Sequence, residues 1–188
     1  VLFIDGKPAK TFSTLINPKV KISAAASAVN HITNAMLASA PLENDVYPQF
    51  IEFLGEATNG NIIMCAHNAR FDFDFLCNTL SRLGYNTNIR YADTLSLCRR
   101  HIKGLENYKQ CTVEKFFGLT NNNMHRAESD AEICGKILYN LLDRVDEVLA
   151  EEICIIERTS PTKEELEVCA YIQSIVHKNR GDVSWLRY

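Results

Sequence analysis

The stretch Ile62-Ile63-Met64-Cys65-Ala66-His67-Asn68-Ala69-Arg70-Phe71-Asp72-Phe73-Asp74-Phe75-Leu76 constrains this chain more than any other. A short apolar run stops at His67-Asn68, and within four residues an amphipathic pattern begins. The unalternating run, residues 61–66, suits a central strand. Phe71, Phe75, Leu76, Leu80 and Leu83 then recur at helical spacing, which predicts a helix with that stripe facing the core. Asp72 shares the stripe through residues 75, 76, 79 and 83. Phe75 is expected in the core, with Phe73 packing beside it and Asp74 on the solvated side. A carboxylate facing inward in the first turn is expensive unless something compensates it. The helix N-terminus does so in part, and a bound cation would do more.

The surrounding pattern supplies a scaffold for that helix. Residues 1–4 and 11–16 flank Asp5-Gly6, a hairpin signal. Residues 19–42 form a polar, alanine-rich connection, with Ile22, Val29, Ile32 and Met36 as expected anchors. Asn44 or Asp45 is placed to cap a helix running to Leu54, with Val46, Phe50, Phe53 and Leu54 inward. Gly84 and Asn86 end the Asp72 helix, and residues 89–94 read as a strand leading into another helix from Leu95. A short helix spans 108–117, closed by Gly118, and Asn121-Asn122-Asn123-Met124 forms a polar loop. From Asp130 a long helix places Ile133, Cys134, Ile137, Leu138, Leu141 and Leu142 on one face, and Asp130 falls on that face as well. Strands followed by alternating helices and strands predict an α/β domain over residues 1–150. Thr159-Ser160-Pro161 breaks the pattern, and residues 160–188, with the only Trp at 185, read as a helical appendage or the start of a further module.

Composition narrows the function classes. The chain has 188 residues, 46% hydrophobic and 23% charged, a globular balance able to bury a core. A net charge of -3 supplies no broad basic field for nucleic acid or membrane. That leaves open an enzyme that grips only a strand end. Seven scattered cysteines without a C-x-x-C point to reduced thiols in a cytoplasmic protein and against structural zinc. No apolar run reaches the ~20 residues of a membrane span. The strand-like start at Val1, without an initiating Met, reads as a piece of a longer chain.

The polar residues that remain are Asp72, Asp130 and His125, a loop histidine five positions ahead of Asp130. Carboxylates that bind divalent cations, with a histidine to take a proton from water, make a device for metal-assisted hydrolysis. All-oxygen ligands favour Mg²⁺ or Mn²⁺. The runs Ala66-His67-Asn68-Ala69-Arg70-Phe71-Asp72-Phe73-Asp74-Phe75-Leu76 and His125-Arg126-Ala127-Glu128-Ser129-Asp130-Ala131 resemble the second and third motifs of the DnaQ-like 3′–5′ exonucleases, in the subgroup with a histidine in the last motif. Asp93-Thr94-Leu95 sits where that family commonly has the same tripeptide, and Ile16-Asn17-Pro18 and Ile32-Thr33 match the early connection of its proofreading-type members, so the resemblance covers residues 1–145.

The resemblance implies a ribonuclease H-like mixed sheet of about five strands flanked by helices. It also implies a two-metal site with Mg²⁺ or Mn²⁺, releasing nucleoside monophosphates from a single-stranded or frayed 3′ end of DNA, with RNA as an alternative. A DNA polymerase subunit is the implied protein partner. Carried over by position, Asp130 is a direct metal ligand, Asp72 supports the second metal, His125 is the general base, and Asn68 and Phe71 shape the terminal-nucleotide pocket. The family's first motif, Asp-x-Glu-Thr on the first strand, has no match here, since Asp5 is followed two residues on by Lys7. The expectation is therefore a sheet lacking its first strand and a chain with little or no activity by itself. The alternative is a non-catalytic nucleic-acid-binding or polymerase-docking module of the same fold. Asp93, His67 and His31 are expected to be structural, and Arg70, Arg99, Arg100 and Lys103 solvated.

Overall fold

The structure, a computed structural model, describes residues 1–120 and 126–144 in full and the backbone alone of 157–159. His125, the loop Asn121–Met124 and the segment 160–188 with Trp185 lie outside the described residues.

The hairpin forms at Asp5-Gly6, but its second strand is not the one expected. Strand β1 (Leu2–Ile4) pairs antiparallel with β2 (Lys7–Lys10), with Ile4 opposite Lys7. Asp5 and Gly6 take φ values of 50° and 75°, the left-handed pair of a two-residue turn that matches strand twist. So tight a turn brings the chain back at residue 7, and residues 11–16 are left without a ladder. Phe12 instead packs on Phe50 and Phe53, with ring centroids 5.4 and 5.7 Å away.

The connection coils into α1 (Ala24–Asn30) and α2 (Asn34–Ala38), capped by Ser23 and Thr33 side chains on the Ala26 and Met36 amides. Its anchor is Leu37, the buried residue of the two helices, while Val29 is exposed. That corrects the expectation for Val29: α1 turns no residue into the core. Helix α3 (Glu43–Leu54) is capped at Leu42, two to three residues before the expected caps, and buries Val46 and Leu54.

Next come β3 (Met64–Ala66), α4 (Ala69–Arg82) and β4 (Asn88–Asp93), a parallel strand–helix–strand unit with Met64 opposite Tyr91 and Ala66 opposite Asp93. Gly60, at φ 81°, passes so close to β4 that an added Cβ would stand 2.9 Å from the Asn88 carbonyl oxygen. Helices α5 (Thr94–His101), α6 (Gln110–Phe116) and α7 (Ala127–Leu142) follow, and β5 (Glu157–Thr159) adds antiparallel to β4. Among the described residues the strands make two sheets, β1-β2 and β3-β4-β5.

The pleat of β4 divides the core. Ile89 and Tyr91 pack with Ala69, Phe73 and Leu80 of α4 on one side; Ala92 joins Leu97, Val113, Ile133, Ile137 and Leu141 from α5, α6 and α7 on the other. Helices thus cover both sides of the parallel pair, the mixed α/β arrangement expected from the sequence.

One helical face is corrected. The side of α4 that meets the sheet is Ala69, Phe73, Cys77 and Leu80, not the stripe through Phe71 and Phe75. Phe73 is 3% exposed and stacks on Tyr91 at 4.2 Å, whereas Phe75 is 64% exposed. Asp72 accordingly lies on the open side of the helix and is exposed, while Asp74 is partly covered.

Candidate active site

Because Ala66 and Asp93 are in register at the ends of parallel strands, His67 and Thr94 emerge at the same carboxyl edge. Open α/β sheets bind ligands at such edges, where helix N-termini converge. The turn between β3 and α4 is held from outside its own element. Asn68 takes the left-handed conformation, φ 70° and ψ 48°, and has no side-chain cap bond. Its N–H donates to Asp93 Oδ1 at 3.0 Å. The same oxygen accepts from the Leu95 N–H at 3.0 Å, and Oδ2 accepts from Ser96 Oγ at 2.9 Å. Asp93 therefore caps α5 and fastens the turn before α4 with one carboxylate.

His67 locks the same corner. Its Nε2 lies 2.7 Å from the Tyr108 carbonyl, which only accepts, so Nε2 carries a proton, and Nδ1 lies 3.0 Å from Thr94 Oγ1, a hydroxyl that also reaches the Ala66 carbonyl at 3.2 Å. Burial holds the His67 pKa below its ordinary value, against the opposing pull of the Tyr108 carbonyl and the Asp93 charge. The ring is a neutral structural bolt, as the sequence suggested. His31 closes α1 in a left-handed C-cap.

Asp72 sits in the first turn of α4, with its carboxyl pushed above the usual carboxylate range. Partial desolvation is the main cause; hydrogen bonding to the backbone opposes it and the Asp93 charge adds to it. Asp130 occupies the first turn of α7 and is half-buried. Its carbonyl accepts from Gln110 Nε2 at 2.8 Å, which ties α6 to the start of α7. Nothing in the sequence marks Gln110 for this role, since a glutamine at a helix start is ordinarily solvated.

One turn beyond Asp130, Cys134 Sγ lies 3.5 Å from Thr94 Oγ1 and 4.0 Å from Cys65 Sγ. Those contacts set the first turns of α7 against β3 and α5, and the Asp72 charge reaches Cys134. Two helices thus direct acidic first turns toward one edge of the sheet. Asn68 is exposed there, and Phe71 is 43% exposed with its ring 5.0 Å from that of Phe75. Arg70 makes an exposed contact with Asp74 at 3.6 Å, and Arg99, Arg100 and Lys103 are exposed.

Asp72 and Asp130 offer carboxylate oxygens, the donor type that a hard divalent cation takes. The number of donors does not suffice. Among the described residues no group of three or more His, Cys, Asp or Glu is placed to hold a metal ion. Asp72 and Asp130 by themselves do not make a cation cage.

Comparison with known proteins places these features. The sequence model of the exonuclease family RNase_T matches residues 3–138. A DNA polymerase III PolC-type protein of Caldanaerobacter subterraneus subsp. tengcongensis is 34% identical over 138 residues, 73% of this chain and 10% of that protein. DNA polymerase III subunit epsilon of Aquifex aeolicus is 32% identical over 136 residues, 71% of this chain and 64% of that one. The chain thus spans about a tenth of the PolC-type relatives and under two thirds of the epsilon subunit. Among solved structures, Exonuclease X in complex with 5′ overhanging duplex DNA aligns with a TM-score of 0.57 and 29% identity, covering 75% of this chain and 78% of that one. A full-length 3′-exonuclease at 16% identity and the same TM-score shares the fold.

Proposed function

This chain belongs to the exonuclease family whose sequence model it matches, with a ribonuclease H-like fold, and from that premise we propose that it is the 3′–5′ exonuclease domain of a DNA proofreading or repair enzyme. The substrate is the single-stranded or frayed 3′ end of DNA, the protein partner a DNA polymerase subunit, and the compartment the cytoplasm. The observation that carries the reading is the pair of acidic first turns, Asp72 on α4 and Asp130 on α7, at the carboxyl edge of β3 and β4.

In this reading Asp130 is a direct ligand of one Mg²⁺ or Mn²⁺ ion and Asp72 supports a second. Bound ions would neutralise the scissile phosphate and the departing oxygen. Among the described residues no third His, Cys, Asp or Glu is grouped with these two carboxylates to complete a metal site. His125 takes the proton of the attacking water. Asn68 and Phe71, exposed beside Asp72, receive the terminal nucleotide, with Phe71 offering a ring face to its base. Residues 1–150 act as the exonuclease domain, and 160–188 as a helical appendage or the start of a further module.

The test uses the full-length protein. Asp130→Ala and His125→Ala should each abolish Mg²⁺-dependent digestion of a labelled single-stranded 3′ end. Loss of a general base alone is worth about 10²–10⁴-fold. Circular dichroism and Tm should stay near those of the parent. Undiminished digestion by Asp130→Ala would refute the assignment. A second reading is a non-catalytic module of the same fold, in keeping with a donor set that is incomplete among the described residues. It requires single-stranded DNA binding that ignores Mg²⁺ and survives His125→Ala.

A further inference from the structure

Two nucleophiles that hydrolysis does not use lie just behind the acidic edge. Cys65, half-buried on β3, and Cys134, buried on α7, hold their sulfurs 4.0 Å apart. The Cys134 S–H donates to Cys65 Sγ, and Thr94 Oγ1 stands 3.5 Å from Cys134. The pair is chemically unequal. The hydrogen bond from Cys134 draws the Cys65 thiol below its ordinary pKa despite burial, whereas Cys134 is held well above its own by that bond and by desolvation. Cys65, the more accessible of the two, has the character of an attacking thiolate, with its resolving partner already in contact. Cys98 shows the contrast: burial, with the Asp93 charge adding, pushes its thiol to about 12.

We propose that Cys65 and Cys134 form a reversible disulfide when the protein meets a peroxide, fastening β3 to α7. The Cys65 thiolate attacks a peroxide oxygen, the O–O bond breaks, and Cys65 becomes a sulfenic acid while the departing hydroxide takes up a proton as water. Cys134 then attacks the Cys65 sulfur; the S–S bond forms, the S–O bond breaks, and the hydroxyl leaves with the Cys134 proton as a second water. Two thiols and hydrogen peroxide give one disulfide and two waters, the sulfurs losing two electrons to the peroxide. Closure to the ~2.05 Å of a disulfide requires the sulfurs to approach by about 2 Å. The bond would lie two residues before His67 and four after Asp130, joining the two walls that carry the acidic turns.

The test is peptide mapping of the native full-length protein exposed to hydrogen peroxide, then unfolded and alkylated with iodoacetamide. The expected product is a cross-linked peptide pair containing Cys65 and Cys134, abolished by dithiothreitol. In Cys134→Ala, Cys65 should carry sulfinic acid instead, at the same peroxide dose. Recovery of both cysteines as alkylated thiols, at a dose that oxidises the exposed Cys111, would overturn the proposal. So would a Cys65 bridged to any other cysteine.

Discussion

Helices α4 and α7 do the same job by opposite means. Each carries an aspartate in its first turn, and neither has a side-chain cap bond of its own. Helix α7 is held by its apolar face: Ile133, Cys134, Gly135, Ile137 and Leu141 are all buried. Helix α4 buries only Ala69, Phe73, Cys77 and Leu80, and its start is held by hydrogen bonds from elsewhere, through Asp93 and His67. Helix α7 has one polar tie at its start, Gln110 on the Asp130 carbonyl, and is otherwise positioned by packing along its length, whereas α4 relies more on the polar clamp at its first turn. The orientation of Asp72 should therefore be the more sensitive to polar changes, and that of Asp130 to changes of volume.

Four substitutions sharpen the contrast, taken from the largest expected effect. Phe73→Ala removes the ring stacked on Tyr91 and should lower stability by about 3–5 kcal/mol in urea unfolding. A loss below about 1 kcal/mol would mean that the polar clamp alone seats α4. Gly135→Ala would place a methyl group against the Phe3 ring, which lies over Gly135 and stacks with Tyr139. Overpacking of about 1–3 kcal/mol should outweigh the gain of about 1 kcal/mol in helix propensity, seen as a lower Tm.

His67 gives a pH signature. Its folded pKa lies below the ordinary value of 6.5, so below that pH the unfolded chain takes up a proton first. Stability should be complete above pH 6.5 and fall as pH drops through that value toward the folded pKa. His67→Gln should be less stable at neutral pH and lack this drop, which thermal melts across pH 5–8 would show. Phe75→Ala, on the exposed side of α4, should change stability by no more than about 0.5 kcal/mol. A loss like that of Phe73→Ala would restore the face that the spacing suggested.

The difference between the two helices also explains what could be read from the sequence. Around α7 the aliphatic residues fall on one face only, so Ile133, Cys134, Ile137 and Leu141 are legible from their spacing, while the buried Gly135 under the Phe3 ring is not. In α4 the rings at 71, 73 and 75 alternate every second residue around a helix, and more than one face can be drawn through them. The stripe through Phe71 and Phe75 is as regular as the real one. Tyr91, eighteen positions beyond Phe73, chose between them by stacking. The second strand of the hairpin lies earlier than the strand character of Phe12 and Leu15 suggests, because a two-residue turn sets the register before propensity can act.

For the site, the sequence by itself determined the residue types, their order and their place relative to the helix starts. An apolar run broken at His67-Asn68, and Asp72 and Asp130 each in a first turn, are local facts that spacing encodes. Tertiary structure decided which way those turns face and what holds them. Asp93 reaches back twenty-five residues to the Asn68 amide, Gln110 reaches forward twenty to the Asp130 carbonyl, and Cys65 meets Cys134 across sixty-nine. Hydrogen bonds and contacts of that range leave no period in a sequence. They exist only once β3, β4 and α7 have packed, because packing alone brings their partners within reach.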